Sequence, residues 1–118
     1  MNTVTIKVAS RGQADARFIE AAQTGRPHGA YISFPSMEAL CSTLTAKRWE
    51  LVQTLCGAGP VSVRETARRV GREVKRVHED VQVLLNTSIL DRAEDGGIVF
   101  PYDAVHGDFM LRPPAMAA

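Results

Sequence analysis

Residues 62–90 read SVRETARRVGREVKRVHEDVQVLLNTSIL, and two helices separated by one glycine account for that order. Ser62 and Glu65 form an S-x-x-E capping box, in which each side chain can satisfy a backbone N–H at a helix start. Val63, Ala67 and Val70 recur at helical spacing and predict one buried stripe. Ala67 is small, as close helix crossing requires. Gly71 follows the last apolar residue, where a chain leaving a helix often needs positive φ. Val74, Val77, Val81 and Leu84 continue the stripe on a second helix over residues 73–85. Its β-branched residues lower helix propensity, so tertiary packing must hold it.

The outward positions of this pair are cationic. Between positions 61 and 78, Arg64, Arg68, Arg69, Arg72, Lys75 and Arg76 stand against Glu65 and Glu73, an excess of +4 in a chain of net charge +1. The remainder therefore sums to −3. Charge segregated in this way supplies the local positive patch that phosphate binding needs. A short helix, a glycine turn and a longer helix with cations on one face form the pattern of a helix-turn-helix, whose second helix lies in the DNA major groove. On this reading Arg72, Lys75, Arg76 and Glu79 occupy the half that reaches base edges, since arginine or lysine pairs with guanine and glutamate accepts from cytosine. Ser62, Arg64 and Arg68 would clamp phosphate, orienting the module without reading sequence. His78 borders the buried stripe, within reach of a phosphate or of a helix–helix hydrogen bond. The bland alternative is a solvated basic face on an ordinary helical hairpin.

Flanking segments extend the unit. Thr45 can cap a helix running to about Cys56, with Trp49, Val52 and Cys56 in one row and Leu51 and Leu55 widening its apolar face. Gly57, Gly59 and Pro60 end it. Beyond Ile89-Leu90, the turn Asp95-Gly96-Gly97 before Ile98-Val99-Phe100 is a hairpin signal. Three helices and a hairpin make a winged helix. Its hairpin is acidic: Asp91, Glu94 and Asp95 outnumber Arg92, so little minor-groove contact is expected from it.

Taken together, LTAKRWELVQTL, GPVSVRETARRVGREVKRVHEDVQVL and DGGIVFPYD resemble small prokaryotic DNA-binding proteins with a MarR-like winged helix. The resemblance spans roughly positions 34–103. It implies a transcriptional regulator, in some cases an antitoxin that represses its own operon and neutralises a neighbouring toxin protein. The matched positions are Arg64, Arg68, Gly71, Arg72, Lys75, Val77 and His78. Two positions depart from the pattern: Ser88 stands where a glycine usually follows the recognition helix, and Leu85 stands where a charged residue is expected.

The N-terminal third is built differently. Val4, Ile6 and Val8 alternate with Thr3, Thr5 and Lys7, which predicts a half-buried strand. Residues 13–23 favour a helix, residues 24–29 a loop, and Tyr31-Ile32-Ser33-Phe34 a second strand. Ser36 can cap a short helix reaching Leu40 to Leu44. So small a segment buries little surface alone. It either mediates dimerisation or partner binding, or packs onto the rest of the chain.

The expected fold class is therefore α+β and mainly helical: a winged helix-turn-helix with an N-terminal strand-helix-strand extension. Residues 1–43 form the extension, 44–112 the DNA-binding domain and 113–118 a disordered tail. Cys41 and Cys56 are too far apart for a C-x-x-C site and read as small core hydrophobes. No run approaches the ~18 apolar residues of a membrane span, and no secretory pattern opens the chain, so a cytoplasmic protein is expected. Phosphate-loop, nucleophile-elbow and zinc-protease motifs are missing. Asp103, His106 and Asp108 read as a solvated face, with no metal, cofactor or catalysis expected. The sequence thus points to a homodimeric regulator with double-stranded DNA as the expected partner, against the alternative of a protein-interaction module with little DNA binding.

Overall fold

The structure is a computed structural model that describes residues 2–8, 30–110 and 113. The helix and loop expected over residues 13–29 and the tail from 114 lie outside the described residues. Within them the chain is α+β: strands β1 (Thr3–Val8) and β2 (Ala30–Phe34), helices α1 (Met37–Thr43), α2 (Ala46–Leu55), α3 (Val63–Val70) and α4 (Val74–Asn86), and strands β3 (Asp91–Arg92), β4 (Ile98–Val99) and β5 (Ala104–Asp108).

Local chemistry sets the helix starts. The hydroxyls of Ser36, Thr45 and Ser62 accept hydrogen bonds from the backbone N–H of Ala39, Arg48 and Glu65 at 3.1, 3.4 and 3.0 Å. Helix α3 ends at Gly71 in the left-handed region, φ +68°, and the N–H of Arg72 donates to Ala67 O at 3.1 Å. This closes the α3–α4 turn as the glycine predicts. The capping box is only half formed. Glu65 does not reach back to Ser62, because its carboxylate accepts from Arg68 and Arg69 further along the same helix.

After α4 the chain must reverse sharply. Ser88 takes φ +63°, the one non-glycine residue at positive φ among those described. It occupies the place where the resemblance expects glycine. The reversal lets the N–H groups of Ile89 and Leu90 both donate to Leu84 O, at 2.9 and 3.1 Å, and both side chains are buried.

The turn at residues 95–97 closes β3 on β4 in antiparallel register, with Gly96 at φ +89° and the Gly97 N–H held by Asp95 Oδ1 at 2.9 Å. A third segment joins this hairpin. Val61, one residue before the α3 cap, exchanges both backbone hydrogen bonds with Ile98 at 2.9 and 2.8 Å. The start of α3 is thereby tied to the hairpin.

The second sheet is parallel, in the order β2-β1-β5. β5 was not foreseen as a strand: Asp103, His106 and Asp108 read as a polar terminal segment. All three side chains are exposed, while the backbone pairs as a strand, with His106 in register with Thr5 and Asp108 with Lys7. Asn2 anchors the pairing by donating from its backbone to Asp103 Oδ2 at 3.0 Å and from its side chain to Pro101 O at 2.8 Å. With a neighbour on each edge, β1 is buried beyond simple alternation. Val4 and Ile6 face the core, yet Lys7 is also buried, its ammonium 5.3 Å from the Tyr31 ring centroid. This corrects the half-buried reading: the central strand of a parallel sheet tends to be covered on both faces.

One core joins these parts. Val4, Ile6, Phe34, Leu40 and Leu44 cluster with Leu51, Val52 and Leu55 of α2, Ala67 of α3, Val77, Val81 and Leu84 of α4, and Ile98 and Phe100 of the hairpin. The N-terminal strands therefore pack within the chain. Cysteine placement differs from the expectation in one case: Cys56 is half-buried, but Cys41 is exposed on α1. Burial, then the nearby Asp103 carboxylate, pushes the Cys56 thiol up. No helix of the described residues is long and apolar enough to cross a membrane.

Candidate nucleic-acid interface

The α3–turn–α4 unit presents its polar face at the N-terminal half of α4. Val77, Val81 and Leu84 turn one side of α4 into the core, so Lys75, Arg76, His78 and Glu79 emerge on the other and are exposed. Arg64 is exposed in the first turn of α3. Arg64, Lys75 and Arg76 make no ion pair among the described residues, so their charge is available to an outside anion. Glu73, Lys75, Arg76 and Glu79 line a shallow depression of about 270 Å³. A larger groove of about 460 Å³ is lined by Ser62, Arg64, Glu65, Ala67, Arg68, Arg72 and Val74.

Two of the expected arginine contacts are engaged internally. Arg68 donates from Nε and Nη2 to Glu65 at 2.7 and 2.5 Å, while its stem stays exposed. These hydrogen bonds, with that from Arg69, hold the Glu65 carboxyl down at about 2. Arg72 departs further from expectation. Its guanidinium turns inward and donates from Nη2 to Asp80 Oδ2 at 2.8 Å. Arg48 of α2 donates to the other oxygen, Oδ1, at 3.0 Å. The three side chains are only 15–20 % exposed. Burial pushes the Asp80 carboxyl up, but the hydrogen bonds from Arg72 and Arg48 outweigh it and the net shift is downward.

Arg48 also donates to the carbonyl oxygens of Ser42 and Thr43 at 3.2 and 3.1 Å. It therefore satisfies carbonyls at the C-terminal end of α1 while holding Asp80 of α4. Sequence reasoning missed both residues. Asp80 adjoins Val81 and follows Val77 by three, a position flanking the buried stripe where a carboxylate must find a cation. The sequence marks that position but not which cation meets it. Arg72 is thus a positioning residue that ties the α3–α4 turn to α4, while Arg48 ties α4 to α2; the outward unpaired cations are Arg64, Lys75 and Arg76. Ser62 is likewise committed, its hydroxyl serving as the α3 cap.

Such a face can bind a polyanion: cations project from two helices at a fixed angle, and the glutamate among them supplies an acceptor. Among the described residues no group of three or more histidine, cysteine or acidic side chains can hold a metal ion. Residues 43–107 match the model of the HVO_A0114 family, more than half of the chain, which therefore belongs to it. The match takes in α2, α3, α4 and the hairpin and leaves out β1 and β2. No curated protein and no solved structure matches the chain.

Proposed function

We propose that this member of the HVO_A0114 family is a sequence-specific DNA-binding regulator, with a MarR-like winged helix-turn-helix over residues 44–112 and α4 as its recognition helix. The observation that carries the reading is the unpaired, exposed set Arg64, Lys75 and Arg76 on the two helices of a glycine-turned pair. The Val61–Ile98 bridge adds support, because a wing requires the segment leading into α3 to be bonded to the hairpin. In this reading Lys75, Arg76 and Glu79 meet base edges, Arg64 and Arg68 meet phosphate, and His78 lies beside them. Binding as a homodimer on two half-sites, and repression of its own operon, complete the proposal.

A second reading, a protein-interaction module such as a toxin-neutralising antitoxin, draws on the hairpin, whose Asp91, Glu94 and Asp95 are all exposed. An acidic tip repels phosphate and suits a basic protein surface.

Fluorescence anisotropy with the DNA upstream of the gene, against scrambled DNA across a salt series, decides between them. A regulator binds the specific duplex more tightly, with log K falling against log salt at about −0.9 per phosphate contact. Changing Lys75 and Arg76 together to Ala then abolishes specific binding with little change in thermal midpoint, since both are exposed. Unaltered affinity in the double variant removes the recognition-helix assignment. Equal, weak binding to both DNAs favours the interaction module.

A further inference from the structure

Val74 is the first residue of α4 and belongs by spacing to the stripe of Val77, Val81 and Leu84, yet it is 42 % exposed while those three are buried. The burial of the stripe begins at Val77, so Val74, at the very start of α4, lies outside the covered part. Among the described residues Tyr31, Val74, Phe109 and Met110 are the exposed large apolar side chains, and of these Val74 alone lies on a helix. A β-branched residue there is less favourable than alanine for the helix and gains little from packing.

The surroundings of Val74 are cationic. It shares the groove of about 460 Å³ with Ser62, Glu65, Ala67 and three arginines, Arg64, Arg68 and Arg72, so cations outnumber the single carboxylate. Arginine stems commonly fold over a neighbouring apolar side chain, but two of the three arginines lining the groove are engaged elsewhere. Glu65 takes the Arg68 guanidinium, and Asp80 draws Arg72 inward. Val74 is thus left as a partly exposed isopropyl group on a rim where arginines outnumber Glu65, with Lys75 and Arg76 following it in sequence.

We propose that Val74 is a specificity determinant that packs against the 5-methyl group of a pyrimidine in the major groove, the group borne by thymine and by 5-methylcytosine. The inference rests on α4 being the recognition helix. A duplex offers both features the site asks for: phosphates for the rim and an apolar methyl on the groove floor. An isopropyl group carries no donor or acceptor, so it discriminates by covering that methyl and by losing the contact where the methyl is missing.

The test begins with the tightest duplex that the full-length protein selects from a random-sequence library. Each thymine is then replaced in turn by deoxyuridine, and each cytosine by 5-methylcytosine, and affinity is read by anisotropy. Loss of one buried methyl at the contacted position weakens binding about fourfold. A gain of similar size on 5-methylcytosine identifies the modified base as the source, and a loss on deoxyuridine identifies thymine. Val74→Ala keeps its thermal midpoint and binds methylated and unmethylated duplexes equally. A protein that binds its selected duplex but senses no methyl overturns the proposal, as does a Val74→Ala variant that still discriminates or weakens equally on all duplexes. If no duplex is selected, the recognition-helix reading itself fails and this inference falls with it.

Discussion

Arg72 and Asp80, eight residues apart across the α3–α4 turn, meet at 2.8 Å through Nη2 and Oδ2, and Arg48 takes the second carboxylate oxygen from α2. One carboxylate therefore links α4 both to the turn before it and to α2. Two guanidiniums meet one carboxylate, so the cluster carries more positive than negative charge and depends on Asp80; Arg72 Nη1 is buried and finds no partner.

Neutralising that carboxylate leaves two partly buried cations facing each other. Asp80→Asn is expected to lower stability by about 1–3 kcal/mol, less than for a fully buried pair because some solvent screening remains. Urea unfolding checks this, and an unchanged midpoint rejects the cluster as a determinant of the fold. If the proposed DNA-binding role holds, specific DNA affinity should fall as well, because α4 loses its tie to α2.

Acid acts through the same carboxylates. The Asp80 and Glu65 pKa values both lie below the ordinary range in the folded chain, Glu65 at about 2. A lowered folded pKa means a contribution that is complete above the unfolded value and is lost as pH falls through the folded one. Stability should hold at neutral pH and decline from about pH 5 downward. Carboxyl NMR titration should place the Glu65 midpoint near 2, and a midpoint above 4 would mean that the Arg68 and Arg69 contacts do not persist in solution.

Ser88 holds φ +63°, where a Cβ crowds the following carbonyl. Ser88→Gly relieves that cost, roughly 1–2 kcal/mol, while the freer unfolded chain takes back part of it. A net gain of about 0.5–1 kcal/mol is expected, read as a higher thermal midpoint. A loss would show that the serine hydroxyl supplies more than the backbone strain removes.

Gly97 gives the opposite result. A Cβ there would lie 3.0 Å from Val61 O and 3.2 Å from Asp95 Oδ1. Val61 cannot easily retreat, since both its backbone groups are bonded to Ile98. Gly97→Ala should cost about 1–3 kcal/mol and displace the hairpin from the start of α3. Amide exchange at Val61 and Ile98 reports the displacement, and unaltered protection there would contradict it.

The glycine-turned helix pair and the hairpin were legible in the sequence because their signals are local. A cap, a left-handed glycine or an aspartate-glycine turn acts within about four residues, and the Val77/Val81/Leu84 stripe needs only helical periodicity. The positions of Arg64, Lys75, Arg76 and Glu79 on the outer face follow from the same periodicity. Where residues of one type stand on both sides of a helix boundary, that reasoning stops. Arg72 and Arg76 look alike in sequence, yet one turns inward to a carboxylate and the other stays in solvent.

The sequence by itself determined the order of helices, the turn between α3 and α4, the caps and the hairpin, since each depends on neighbours along the chain. Only the tertiary structure decided that β5 closes on β1 about a hundred residues away in the sequence, that Lys7 is covered and Cys41 is not, and that Val74 leaves its stripe. Those outcomes depend on which surfaces find a covering neighbour when the whole chain condenses. Burial is a property of the packed molecule, and no window of consecutive residues contains it.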